Sequence, residues 1–156
     1  MGWPEFLGNL SDSEKRDKPY ILLIDDEASW LELYKPMFEF GSSYSFKFSE
    51  ARSFKDAKNL INTIKFDLAI VDYILDSKNR ARSRWYWASL YQDLKICNIP
   101  IIAVSEYFEK PDLVSMINSY KINAVIDKRT YDRNDNDFIK KLLEIKLEFW
   151  CDLGFL

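Results

Sequence analysis

The chain has 156 residues, 47% hydrophobic and 30% charged, with a formal net charge of -3 and no histidine. That length and apolar content suit one compact domain with a real core and leave little room for a second. A slightly acidic balance without a long basic block lacks the footprint of a nucleic-acid binder, and the missing imidazole removes Ser-His-Asp triads, Cys-His dyads and histidine metal sites. Cys97 and Cys151 stand far apart without metal-ligand spacing, which argues against zinc or a disulfide framework and fits a reducing compartment. No apolar stretch approaches the roughly 18 residues needed to span a bilayer. The N-terminus does not read as a signal peptide, so a cytoplasmic protein without membrane attachment is expected.

Residues 1 to 18 combine Trp3, Phe6, Leu7 and Leu10 with a polar run from Ser11 to Lys18 and read as an N-terminal extension. From Pro19 onward, short apolar runs alternate with amphipathic segments. A strand is predicted over 20 to 25, then a helix over 28 to 40 that Pro36 should kink or end early, then a strand over 44 to 48. The next helix, 54 to 64, has Ser53 as its N-cap and Phe54, Ala57, Leu60, Ile61 and Ile64 at helical spacing. A strand over 67 to 72 follows. The polar stretch from Asp76 to Arg84 predicts a mobile loop leading into a helix within 84 to 96. Strand 100 to 105, helix 110 to 120, strand 123 to 127 and a long helix over 135 to 150 complete the pattern.

Two features of this stretch carry further expectations. Lys78, Arg80, Arg82 and Arg84 beside Trp85, Tyr86 and Trp87 could serve stacking and charge contacts with nucleic acid, but a solvated segment leading into an aromatic helix face is the preferred reading. The last helix carries Phe138, Ile139, Leu142, Leu143, Ile145, Leu147, Phe149 and Trp150, wider than one buried stripe requires. Two readings stand level: a core helix with a few exposed apolar residues, or, together with the apolar tail 151 to 156, a surface for a homodimer.

Five strands alternating with five helices through right-handed crossovers make a doubly wound (βα)5 three-layer α/β sandwich. The expected sheet is parallel and five-stranded, of flavodoxin-like order 2-1-3-4-5, with its switch point between strands 1 and 3. Ligands of open α/β sheets bind at the carboxyl ends of the strands, and there the sequence places Asp25 and Asp26, Asp72, Ser105 and Lys128. Three carboxylates held close together repel one another unless a cation intervenes. Oxygen-only ligands with few carboxylates favour Mg²⁺ over a dedicated Ca²⁺ cage. Such an ion would also neutralise an incoming phosphoryl group, for which an aspartate can act as nucleophile and form an acyl phosphate.

With these elements the chain resembles the receiver domain of two-component response regulators over roughly residues 19 to 150. The resemblance is carried by Leu22-Leu23-Ile24-Asp25-Asp26-Glu27, Leu68-Ala69-Ile70-Val71-Asp72-Tyr73-Ile74-Leu75, Pro100-Ile101-Ile102-Ala103-Val104-Ser105 and Val125-Ile126-Asp127-Lys128, in matching order and spacing. It implies that Asp72 is the phosphoacceptor, that Asp26 ligates Mg²⁺ directly and Asp25 directly or through water, and that the backbone carbonyl of Ile74 completes the protein ligands. It further implies that Ser105 hydrogen-bonds the phosphoryl group after transfer and that Lys128 pairs with one of its oxygens. A histidine kinase or phosphotransfer protein would be the donor and a downstream protein the reader. With no output domain after Leu156, the signal would pass through protein contacts or phosphoryl relay.

Three positions and one segment depart from the family's pattern. Glu106 stands where a small residue is usual, Val125 where a switching aromatic is usual, and Arg129 where proline is usual, and the polar segment after strand 3 replaces the usual Pro and Gly. Glu106, Val125 and Arg129 motivate an alternative, a phosphorylation-independent pseudo-receiver acting as an interaction module. An aspartate-nucleophile phosphohydrolase is a weaker alternative, because Ile74 stands where its second acid would be. Beyond phosphoacceptance with at most autophosphatase activity, no classical enzyme is expected.

Overall fold

The computed structural model describes residues 19–39, 46–76, 78–105, 122 and 124–128. The expected helices over 110 to 120 and 135 to 150 lie outside the described residues, as do the extension 1 to 18, the tail 151 to 156, Glu106 and Arg129. The described chain runs β1 (Tyr20–Ile24), α1 (Ala28–Glu39), β2 (Lys47–Ala51), α2 (Phe54–Thr63), β3 (Leu68–Asp72), α3 (Arg80–Ile96), β4 (Ile101–Ser105) and β5 (Ala124–Asp127). All neighbouring strands are parallel, in the order β2-β1-β3-β4-β5. This is the doubly wound order that the sequence predicts.

β1, β3 and β4 occupy the middle of the sheet, and all but Tyr20 of their residues are buried. Covered on both faces, they must be apolar at consecutive positions, which is why they read as unbroken runs. Alternation still sorts their side chains between layers. Leu22, Ile24, Ala69, Val71, Ile101, Ala103 and the half-buried Val125 pack in one cluster with Ala57 and Ile61 of α2 and Trp87, Leu90 and Leu94 of α3. Ile21, Leu23, Leu68, Ile70, Ile102 and Val104, of the opposite parity, are also buried and lie outside that cluster, as do Trp30, Leu31 and Tyr34 of α1. Helices therefore cover both faces, α2 and α3 on one and α1 on the other.

α1 fills the expected span as far as Glu39, the last residue described there, so the helix does not end early at Pro36. Pro36 is exposed, and so is Glu32, whose carbonyl loses its helical donor to the proline ring and can bond water instead. Two other boundaries differ from the sequence reading, each for a local reason. β2 spans Lys47–Ala51 rather than 44 to 48. It is an edge strand whose residues are exposed or half-buried as far as the buried Ala51, and its extent is set by pairing with β1 from Tyr20↔Lys47 to Ile24↔Ala51, prolonged by the Asp25 N–H bond to the Ala51 carbonyl at 3.1 Å.

The second correction falls on the segment after β3, which is helical from Arg80. Asn79 has extended dihedrals, and its side chain accepts from the Arg82 N–H at 3.0 Å, the geometry of an N-cap. Ser83, fully buried, donates its hydroxyl to the Asp76 carbonyl at 2.6 Å and accepts from the Asp76 N–H at 2.9 Å. The polar residues that suggested a loop tie the turn to the first turn of α3. At the far end Asn98 adopts a left-handed φ of 56°, and the Ile99 N–H reaches back to the Leu94 carbonyl at 2.9 Å, which stops the helix.

Candidate phosphoryl and cation site

Strand alternation determines which residues meet at the carboxyl edge. Asp25, directly after β1, continues the parity of Ile21 and Leu23. Asp72, which ends β3, has the parity of Leu68 and Ile70. Both therefore fall on the α1 face of the sheet. Lys128 follows β5 on the parity opposite Val125 and reaches the same face. Asp25, Asp72 and Lys128 are all buried. Asp26 is half-buried and continues the other parity, as does Ser105, which is buried at the end of β4 one residue beyond the Val104 that pairs with Asp72.

One carboxylate oxygen from each of Asp25, Asp26 and Asp72 lies within 4.8 Å of the other two. Three hard oxygen donors at that spacing can converge on a single divalent cation. Lys128 Nζ is 2.5 Å from Asp25 Oδ2 and 3.7 Å from Asp72 Oδ2. The other oxygen of Asp72, Oδ1, accepts from the Ile74 N–H at 3.1 Å, so the turn after β3 fixes the carboxylate plane and leaves Oδ2 facing the lysine. The structure thus brings together the predicted Asp25, Asp26, Asp72 and Lys128 and sets Ser105 on the same edge. Ile74 is in place beside Asp72, where its N–H makes the contact described.

The electrostatics follow from burial. Asp72 is held well above the usual carboxylate range, first by burial, an effect that Lys128 offsets in part and the negative charges of Asp25 and Asp26 reinforce. Asp26 is also raised, by burial and then by Asp25. A cation drawn to the cluster would reverse both effects.

Two residues that the sequence reading left unassigned complete the surroundings. Tyr34 is fully buried and donates its hydroxyl to Asp25 Oδ2 at 2.9 Å. Trp30 lies under Lys128, with Nζ 4.7 Å from the ring centroid, and stacks on Tyr34 at 6.2 Å. The signal was present in the spacing: Trp30 and Tyr34 stand four and eight residues after Asp26, one helical stripe facing the acidic edge. At the opposite edge of the sheet, a groove of about 330 Å³ between the ends of α2 and α3 is lined by Ile61, Asn62, Thr63, Ile64, Lys65, Cys97 and Ile99, with no carboxylate among them.

No protein-family model matches the chain, and no curated protein matches it. Solved structures do. The phosphorylated cyanobacterial phytochrome response regulator RcpA is similar with a TM-score of 0.67 at 20% identity, covering 86% of this chain and 94% of that one. The Mn²⁺-bound response regulator Rcp1 gives 0.65 at 19%, covering 82% and 91%. A CheY-like receiver domain protein from Methanospirillum hungatei gives 0.61 at 22%, covering 88% and 99%. The chain therefore has the fold of CheY-like response regulator receiver domains. Among the described residues, no helix is long and apolar enough to cross a membrane.

Proposed function

We propose that residues 19 to 150 act as a response regulator receiver that takes a phosphoryl group onto Asp72 from a histidine kinase or phosphotransfer protein in the cytoplasm and signals through protein contacts. The observation that supports this most directly is the meeting of Asp25, Asp26 and Asp72 within 4.8 Å beside a buried lysine, at the edge where the fold binds ligands.

Asp25, Asp26, Asp72 and the Ile74 carbonyl are the groups to hold Mg²⁺. Bound there, the ion supplies charge neutralisation for the phosphoryl oxygens. Asp72 Oδ2 attacks phosphorus, the new O–P bond forms as the P–N bond of a phosphohistidine breaks, and the departing imidazole keeps the electron pair and takes up a proton. Lys128, already 3.7 Å from Asp72 Oδ2, stands ready to pair with a transferred phosphoryl oxygen. Ser105, at the end of the adjacent strand, supplies a hydroxyl to the same group.

A second reading rests on the 2.5 Å contact of Lys128 with Asp25, which compensates part of the acidic cluster without any ion. A pseudo-receiver that presents the same surface without phosphorylation would be built this way. Intact mass after incubation with Mg²⁺ and acetyl phosphate separates the two. The phosphoacceptor reading expects one labile phosphoryl adduct on the wild type and none on Asp72→Asn. An unmodified wild type would overturn it in favour of the interaction module.

A further inference from the structure

Asp25 is the most heavily engaged carboxylate of the site. Oδ1 accepts from the Glu27 N–H at 3.0 Å, and Oδ2 accepts both the Tyr34 hydroxyl at 2.9 Å and Lys128 Nζ at 2.5 Å. An ionised carboxylate offers about two acceptor positions on each oxygen, so Oδ2 is saturated. The donors come from three separate places: the turn after β1, the α1 helix and the end of β5. Trp30, one turn before Tyr34 on α1, presents its ring to Lys128, with Nζ 4.7 Å from the centroid. An indole face attracts an ammonium more strongly than any other aromatic side chain, and more so when desolvated.

The geometry points to Tyr34 as a positioning residue that, with Trp30 beneath Lys128, keeps Asp25 and Lys128 paired to each other and so sets how readily Asp25 is released to a divalent cation. This rests on the cation-dependent receiver reading of the same cluster. A cation arriving at Asp26 and Asp72 gains Asp25 by displacing the phenol hydroxyl or the ammonium from Oδ2, or takes the one remaining position on Oδ1. Tyr34 and Trp30 therefore oppose cation binding. Removing the hydroxyl frees an acceptor position on Oδ2 and leaves Asp25 with greater need of a positive partner. Both effects favour the ion.

The test is calorimetric titration of Mg²⁺ alone into the full chain as wild type, Tyr34→Phe and Trp30→Phe, with circular dichroism confirming that each is folded. Tyr34→Phe is expected to bind Mg²⁺ roughly tenfold more tightly, the scale of one hydrogen bond to a charged group. Trp30→Phe, which keeps a ring but weakens its hold on Lys128, should tighten binding by about two- to threefold. A merely structural loss would loosen the site instead, so the direction of the change is diagnostic. Unchanged or weaker binding by Tyr34→Phe overturns the inference while a Mg²⁺-binding wild type keeps the receiver reading standing. Should Tyr34→Phe fail to fold, the Trp30→Phe result decides, and no tightening there overturns the inference equally. If neither the wild type nor a variant binds Mg²⁺, the receiver reading and the inference fall together.

Discussion

Two lysine–aspartate pairs in this molecule have nearly the same parts and opposite meanings. Lys58 of α2 pairs with Asp93 of α3, also donates to Ser89 Oγ at 3.1 Å, and lies 5.7 Å from the centre of the Phe54 ring. Lys128 pairs with Asp25 and lies 4.7 Å from the centre of the Trp30 ring. The side chains of the first pair are 28% and 26% exposed, those of the second 1% and 0%. Water and salt screen the first, which ties two helices together at little cost and little gain. The second takes two charges out of water, a cost that direct attraction often fails to offset. A sheet edge built for packing alone would carry apolar residues there, so the buried pair signals a site.

The sharpest break of this comparison is removal of each lysine. Lys128→Met leaves Asp25 buried without its counter-charge and is expected to cost about 3–5 kcal/mol in urea unfolding. Converting Asp25 to Leu and Tyr34 to Phe in the same chain should recover most of that loss, because an apolar set of similar volume often does as well as a buried ion pair and no buried hydroxyl is left without an acceptor. A triple variant no more stable than Lys128→Met would mean that the pair is there for the fold.

pH sharpens the contrast further. Asp72 is raised above its ordinary value in the folded protein, so folding binds its proton more tightly than the unfolded chain does. The associated stability is present below the unfolded value near 3.8 and is lost as pH rises through the raised folded value. Melting temperatures of the cation-free protein should therefore show this loss, and Asp72→Asn should raise the melting temperature at neutral pH. Mg²⁺ should narrow the gap between wild type and variant. A variant that melts lower than wild type at neutral pH without Mg²⁺ would contradict the account of Asp72 as a carboxylate penalised by burial and by its acidic neighbours.

Smaller effects are expected on the α2–α3 face. Asn79→Ala removes the cap of α3 and should cost about 1 kcal/mol. That is the measurable difference between a helix starting at Arg80 and a loop through the same residues. Lys58→Met should cost no more than about 1 kcal/mol, and the loss should shrink in high salt, where Lys128→Met keeps most of its effect. Equal salt sensitivity of the two lysines would remove the distinction between them.

The same contrast explains what could be read from the sequence. β1, β3 and β4 were legible because burial on both faces forces consecutive apolar residues, and Asp25, Asp26, Asp72 and Lys128 were legible because each closes or follows such a run. β2 was misplaced because an edge strand with Ser49 and Glu50 in it has no such constraint. The start of α3 was hidden because Asn79 and Ser83 look like loop residues until their hydrogen bonds to Arg82 and Asp76 are seen. Tyr34 and Trp30 carried no assignment, because aromatic residues on an amphipathic helix are ordinary core residues. Helical spacing put them on one stripe, but only the meeting of α1 with the ends of β1 and β5 shows that the stripe touches Asp25 and Lys128.

The most direct test of the central claim is to locate the phosphoryl group itself. After incubation with Mg²⁺ and acetyl phosphate, borohydride reduction converts an acyl phosphate to the corresponding alcohol, and peptide mass mapping then reads which aspartate has become homoserine. The account predicts homoserine at position 72 and nowhere else. Homoserine at position 25 or 26, or none at any aspartate, would contradict it.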